Sequence, residues 1–129
     1  MIKRLAQDDP WEVAYGYTKA VTAGPWVLVS GHTSFDAEDT VGQARAAFRD
    51  VLATAQRAGA KREHVVRTRI FYTDAEHTDA IAATFKEVFG SDHPPAATMV
   101  RVAGLMLPQF KVEIELEAYL GGITPETAR

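Results

Sequence analysis

The sequence contains no cysteine. That absence removes disulfides, thiolate nucleophiles and cysteine-based metal sites. Long apolar runs are missing too, since none approaches the ~20 residues of a membrane-spanning helix. The first ten residues, MIKRLAQDDP, place no apolar stretch behind their basic residues and do not read as a signal peptide. There is no surplus of positive charge: 14 Lys and Arg stand against 17 Asp and Glu, a formal net charge of −3. Nucleic-acid binders draw most of their affinity from phosphate contacts, so this balance argues against such a partner. No phosphate-binding loop, Ser-His-Asp set or zinc signature is present. His64, His77 and His93 lie at helix or loop ends with no carboxylate at ligand spacing. The expectation is a cytoplasmic protein with no membrane or nucleic-acid partner and no metal site.

What is there is ordinary for a globular protein: 129 residues, 47% hydrophobic and 24% charged. That length fits one domain with a real core, spanning residues 1–129 with a flexible tail at 123–129. The clearest pattern is at the end of the chain. Val112, Ile114, Leu116, Ala118 and Leu120 alternate with Lys111, Glu113, Glu115, Glu117 and Tyr119. Successive side chains of a strand point to opposite faces, so this is a strand with one apolar face. Residues 93–120 as a whole read as two strands joined by a proline-containing turn.

Upstream, residues 2–5 read as a short edge strand and 7–10 as a turn. Residues 15–22 and 26–30 read as a hairpin around Ala23-Gly24-Pro25. Val41, Ala44, Phe48, Val51, Leu52 and Ala55 recur at helical spacing and predict a helix over 41–58, with Thr40 or a neighbour as cap and Gly59 as terminator. Residues 65–73 read as a strand, and 77–89 as a second helix with Ile81, Phe85, Val88 and Phe89 on its apolar stripe. The order β, β, β, α, β, α, β, β predicts an α+β domain, a mixed sheet with two helices packed on one face. Strand parity then puts Arg67, Arg69, Phe71, Met99, Arg101, Glu113 and Glu115 on the open face, with Val27 and Val29. That face is either solvated or meets other subunits.

These residues carry a family resemblance. Tyr17, Val29-Ser30-Gly31, Ala58-Gly59, VVRTRIFYTD at 65–74, FKEVFG at 85–90, P-A-x-T-x-V-x-V from Pro95 and V-E-I-E from Val112 follow one another over most of the chain. In that order they resemble the Rid family (reactive intermediate deaminase, RidA/YjgF type). The resemblance implies a chorismate-mutase-like subunit, a homotrimer whose sheets line a central barrel, and small-molecule clefts between subunits. Deaminating members hydrolyse enamine or imine intermediates such as 2-aminoacrylate without a cofactor. In them an Arg of a P-A-R motif grips the substrate carboxylate, a Glu of V-E-I-E positions water, and the Tyr lines the cleft.

Transferred residue by residue, Tyr17 and Glu113 keep their places, and Ser30-Gly31 keeps the backbone that meets the ligand. The Arg does not survive: Pro95-Ala96-Ala97-Thr98-Met99 puts Ala97 there, and Ala82 stands at or near a helpful Asn. An alanine methyl offers a carboxylate neither charge nor donor, so weak turnover of 2-aminoacrylate is expected. Arg101 is four residues beyond Ala97, about 13 Å along a strand, too far for direct replacement. Arg69 and Arg101 either anchor an anionic ligand or pair with Glu113 and Glu115. His32 is either an acid, base or ligand donor at the cleft mouth or a surface loop residue. Glu113 is either a water-holding carboxylate or an interface partner for arginine. Phe71, Met99, Ser30, Gly31 and Ala97 complete the candidate ligand contacts. The rival reading is a non-catalytic trimer that binds a metabolite or a partner protein. RNA cleavage is disfavoured by the acidic balance and the lack of a histidine pair.

Overall fold

The computed structural model describes residues 1–122, and the expected tail at 123–129 lies outside the described residues. Strands β1 (Ile2–Arg4), β2 (Ala20–Ala23), β3 (Trp26–His32), β4 (Val65–Tyr72), β5 (Ala96–Arg101) and β6 (Val112–Tyr119) form one sheet in the order β1-β2-β3-β6-β4-β5. All neighbours are antiparallel except β4 and β5. Helices α2 (Thr40–Arg57) and α3 (Thr78–Phe89) cover one face, and a short helix α1 (Pro10–Tyr15) precedes β2. This is the expected α+β architecture with a mixed sheet.

Local chemistry explains the elements. The Asp39 carboxylate caps α2 by accepting from Gly42 N at 2.9 Å. Gly59, at φ +97°, ends it. There Ala60 N donates to Ala55 O at 2.9 Å and Gly59 N to Gln56 O at 3.0 Å, the paired bonds of a Schellman motif. The buried Phe48 of α2 meets Phe85 and Phe89 of α3 with ring centroids 6.1 Å apart in each pair. Below them Val112, Ile114, Leu116 and Ala118 of β6 are all within 1% of fully buried.

Four expectations are corrected. The Asp-Asp-Pro run read as a turn begins α1: Asp9 caps it, Pro10 takes the first helical position, and Gly16 at φ +74° closes it. Cap, proline and glycine also mark turns, and six residues are too few to show a helical stripe. Consequently β2 starts at Ala20, not at residue 15. Residues 93–120 are not a hairpin either. β5 is an edge strand parallel to β4, reached through α3 as a parallel pair requires, and β6 inserts between β3 and β4. Finally, the parity of β3 and β5 is reversed. Val27 and Val29 are buried under the helices. Ala97, Met99 and Arg101 stand opposite Thr68, Ile70 and Tyr72, which puts them on the helix side, where Met99 packs against the core. The β5 sequence AATMVR has no strong polar-apolar alternation to set its phase.

The open face carries Arg69, which donates to Glu115 at 3.2 Å and Glu117 at 2.8 Å, and an exposed Trp26–Tyr119 pair with ring centroids 4.9 Å apart. Among the described residues no helix is long and apolar enough to cross a membrane. Phe48→Ala removes the ring that joins both helices to the sheet. It should destabilise the fold by about 3–5 kcal/mol, measured by denaturant unfolding.

Candidate functional site

The site begins with an irregularity between β3 and β6. Val29 pairs with Leu116 and His32 with Ile114, so β3 spends one more residue than β6 over the same span. Such a bulge bends its strand and re-aims the side chains around it. Here it falls on Ser30-Gly31. A Cβ on Gly31 would lie 2.8 Å from Glu113 Cδ and closer still to Oε2. The missing side chain is therefore the space that the Glu113 carboxylate occupies.

Around this point lies an open cleft of about 760 Å³. Ser30, Gly31, His32 and Glu113 form its floor, with Thr54 and Arg57 contributed by α2. Trp11, Tyr15 and Tyr17 from α1 and the turn after it make one wall, and Phe35, Met106 and Phe110 from two loops make another. The loop wall is tied to α2 by the buried Gln43, whose amide donates to Gln109 O at 2.9 Å and accepts from Lys111 N at 2.7 Å.

Glu113 has no hydrogen-bond partner or counter-ion among the described residues. Burial, and secondarily the nearby Glu115, push its carboxyl above the usual carboxylate range. The Tyr17 hydroxyl is likewise pushed up, by burial first and then by Asp9 and Glu12, so it stays a proton donor at neutral pH. His32 is turned inward and half-buried. Its Nδ1 lies 2.7 Å from Ser30 O and its Nε2 2.8 Å from Thr54 Oγ1. A carbonyl can only accept, so Nδ1 carries the proton and Nε2 accepts from the threonine hydroxyl. Burial holds the ring below its usual pKa, in the neutral form. His32 is therefore neither a surface loop histidine nor a free acid: both nitrogens are committed to holding the bulge against α2.

The wall formed by α1 is fastened by charge. Lys19 Nζ lies 2.7 Å from Asp8, 2.9 Å from Asp9 and 3.5 Å from the buried Glu12, and Arg57 reaches Asp8 at 3.0 Å. Hydrogen bonding to Lys19 draws the Asp8 carboxyl down to about 2. Asp8, Asp9 and Glu12 are also the one acidic trio among the described residues with spacing suited to a metal. The Lys19 ammonium already sits on them.

The sequence of the chain matches the family described as endoribonuclease L-PSP over residues 8–120. The chain belongs to this family. A crystal structure from Mycobacterium tuberculosis, described as a member of the YjgF/YER057c/UK114 family, is 35% identical and superposes with a TM-score of 0.87, covering 92% of this chain and 99% of that one. An uncharacterized protein of Streptomyces coelicolor is 31% identical over 95% of both chains. The 2-iminobutanoate/2-iminopropanoate deaminase of Salmonella typhimurium is 33% identical over 92% of this chain and 96% of its own.

Against the sequence expectations, Tyr17, Ser30, Gly31, His32 and Glu113 meet around one cleft. Phe71, Ala97, Met99, Arg69 and Arg101 do not line it within a single chain. Arg69 is held by two glutamates, and Arg101 Nε donates to Thr73 O at 3.3 Å. Sequence reasoning missed Trp11, Tyr15 and Lys19 because it took their segment for a turn and a strand. It also missed the loop residues Phe35, Met106 and Phe110, which no periodicity marks. Gly31→Ala should keep the fold, at a cost of about 1 kcal/mol, while driving the Glu113 carboxylate out of its niche; a crystal structure of the variant reads the displacement. The depressed His32 pKa means that the unfolded chain takes up a proton first as pH falls below about 6.5. The stability contributed by neutral His32 is therefore present above that pH and is lost below it. His32→Gln should flatten that part of the stability profile between pH 7 and 5, measured by thermal melts.

Proposed function

We propose that the protein hydrolyses an imine or enamine metabolite in this cleft, with Glu113 as its proton-transferring carboxylate, and that it is a poor 2-aminoacrylate deaminase. The observation that carries the reading is the unpaired Glu113, its carboxyl raised above the usual carboxylate range by burial, in the lining of an open cleft. A general acid/base works best when its pKa lies near the working pH. As carboxylate, Glu113 takes a proton from water while the water oxygen bonds to the carbon of the protonated imine, giving a neutral carbinolamine. That proton then passes from Glu113 to the nitrogen, the C–N bond breaks as the carbinolamine hydroxyl returns its proton to Glu113, and Glu113 passes this proton to the departing ammonia, leaving a carbonyl product and ammonium. Tyr17 supplies a hydroxyl donor beside the reacting atoms, and His32 is a positioning residue. The relatives named 2-iminobutanoate/2-iminopropanoate deaminase, at 33% and 30% identity, support the reaction class.

The substrate differs from theirs in this proposal. In the trimer that the family resemblance implies, the open sheet face meets its neighbours, and an edge strand such as β5 would close the cleft of the next subunit. Ala97 brings no cation there, Arg69 is already neutralised by Glu115 and Glu117, and Arg101, about 13 Å along β5 from Ala97, has its Nε turned onto Thr73 O. A small imino acid would leave its carboxylate without a partner. The family description mentions endoribonuclease, but the carboxylates of Asp9, Asp50 and Glu113 in the cleft are poorly suited to a phosphate backbone. The cleft is open and is not plugged by Phe71 or Met99, which favours turnover over a purely structural trimer.

The test is a panel of imines made in place by an amine oxidase or a serine dehydratase, read as carbonyl release. At least one imine should hydrolyse faster with the protein, and Glu113→Gln should lower that rate by about 10²–10⁴-fold. Pyruvate release from 2-aminoacrylate should stay near the rate in buffer. Indifference to Glu113→Gln, or efficient turnover of 2-aminoacrylate, would contradict the proposal.

A further inference from the structure

Among the described residues, every charged side chain lining the cleft except Glu113 has a partner. Lys19 is shared by Asp8, Asp9 and Glu12, Arg57 is held by Asp8, and Asp50 accepts from Arg49 at 3.0 Å. The cations that could welcome an anion are thus already neutralised within the protein. Among the described residues Glu113 is the one charged group of the cleft without a counter-ion, and its carboxylate form is negative. An anionic ligand would meet repulsion there, whereas a cationic nitrogen would find a charge-assisted partner in a partly desolvated place.

The walls add a second constraint. Trp11 and Tyr15 stack with ring centroids 5.5 Å apart and planes 19° from parallel, and Phe35 and Phe110 make a tilted pair at 4.8 Å on the loop side. Tyr15, Phe35 and Met106 remain 60%, 63% and 59% exposed. Aromatic faces of this kind bind aromatic bodies and cations.

We infer that the ligand is an imine with an aromatic body and no carboxylate, derived from an arylalkyl amine, whose protonated nitrogen pairs with Glu113 while its ring lies along Trp11 and Tyr15. This rests on the hydrolase reading for its reaction, but the ligand class follows from the charge and walls that one chain brings to the cleft. For such a substrate, water adds to the iminium carbon, the C–N bond breaks, and the products are an aryl aldehyde and ammonium, with no net redox change. A reaction supplying this substrate must oxidise a primary amine by two electrons.

Benzylammonium and benzoate, close in shape and opposite in charge, separate the possibilities by calorimetry on the intact protein. Benzylammonium should bind at least tenfold tighter than benzoate. Glu113→Gln should bring the two within about twofold, and Trp11→Ala should weaken benzylammonium. Equal binding, tighter benzoate, or no binding of either would overturn the inference. Turnover keeps the two readings apart. If benzylammonium is preferred yet neither phenylmethanimine nor 2-iminopropanoate is hydrolysed, the ligand class stands and the hydrolase reading falls. If 2-iminopropanoate is hydrolysed faster than phenylmethanimine, imine hydrolysis in the cleft stands, while the ligand class and the expected poor turnover of 2-aminoacrylate both fall.

Discussion

The site depends on one extra residue in β3. A regular strand there would keep β3 and β6 in step and leave no irregularity at Ser30-Gly31. The bulge does two things at once. It turns the His32 ring inward onto Thr54, where it fastens the strand to α2. It also brings a residue without a side chain next to Glu113, so that a carboxylate fits where any Cβ would collide. The cost is a carboxyl group held partly out of water without a partner, and its raised pKa expresses that cost. Unpaired buried acids are disfavoured in proteins unless something else retains them. Here the surrounding packing of β6, buried to within 1% along its inner face, over-determines the geometry.

The walls are built differently from the floor. The sheet and α2 are secured by apolar packing, but α1 is too short to be stable alone and is held by its cap, its proline and the ion cluster around Lys19. The loop wall hangs on the buried Gln43, whose amide satisfies backbone groups of Gln109 and Lys111. The floor is thus rigid, while the walls are tied by polar contacts. Changes in α1 or in residues 102–111 alter the walls without touching the core.

Much of the fold was legible because its signals are periodic. The alternation of β6, the apolar stripes of α2 and α3, and the glycines that end them each have a direct physical reading, and each produced the element it implied. Pairing was less legible. Two adjacent strands joined by a proline loop look like a hairpin, and nothing local in residues 93–120 shows that β6 passes between β3 and β4. The phase of β5 was lost for a similar reason, since Ala96, Ala97 and Thr98 are nearly equivalent in polarity. Of the site, Tyr17, Ser30, Gly31 and Glu113 were reached through motifs, but their mutual geometry comes from the bulge, which no residue type announces. Trp11 and Tyr15 were invisible because Asp-Pro serves equally as turn and helix start.

The central claim is that Glu113 is held unpaired, with a raised pKa, in a niche created by the bulge. Titration of its side-chain carboxyl by carbon-13 NMR measures this directly. The account predicts a pKa above the ordinary glutamate value of 4.5, falling back toward it in Gly31→Ala when the carboxylate is expelled. A Glu113 pKa at or below 4.5 in the unmodified protein would contradict it.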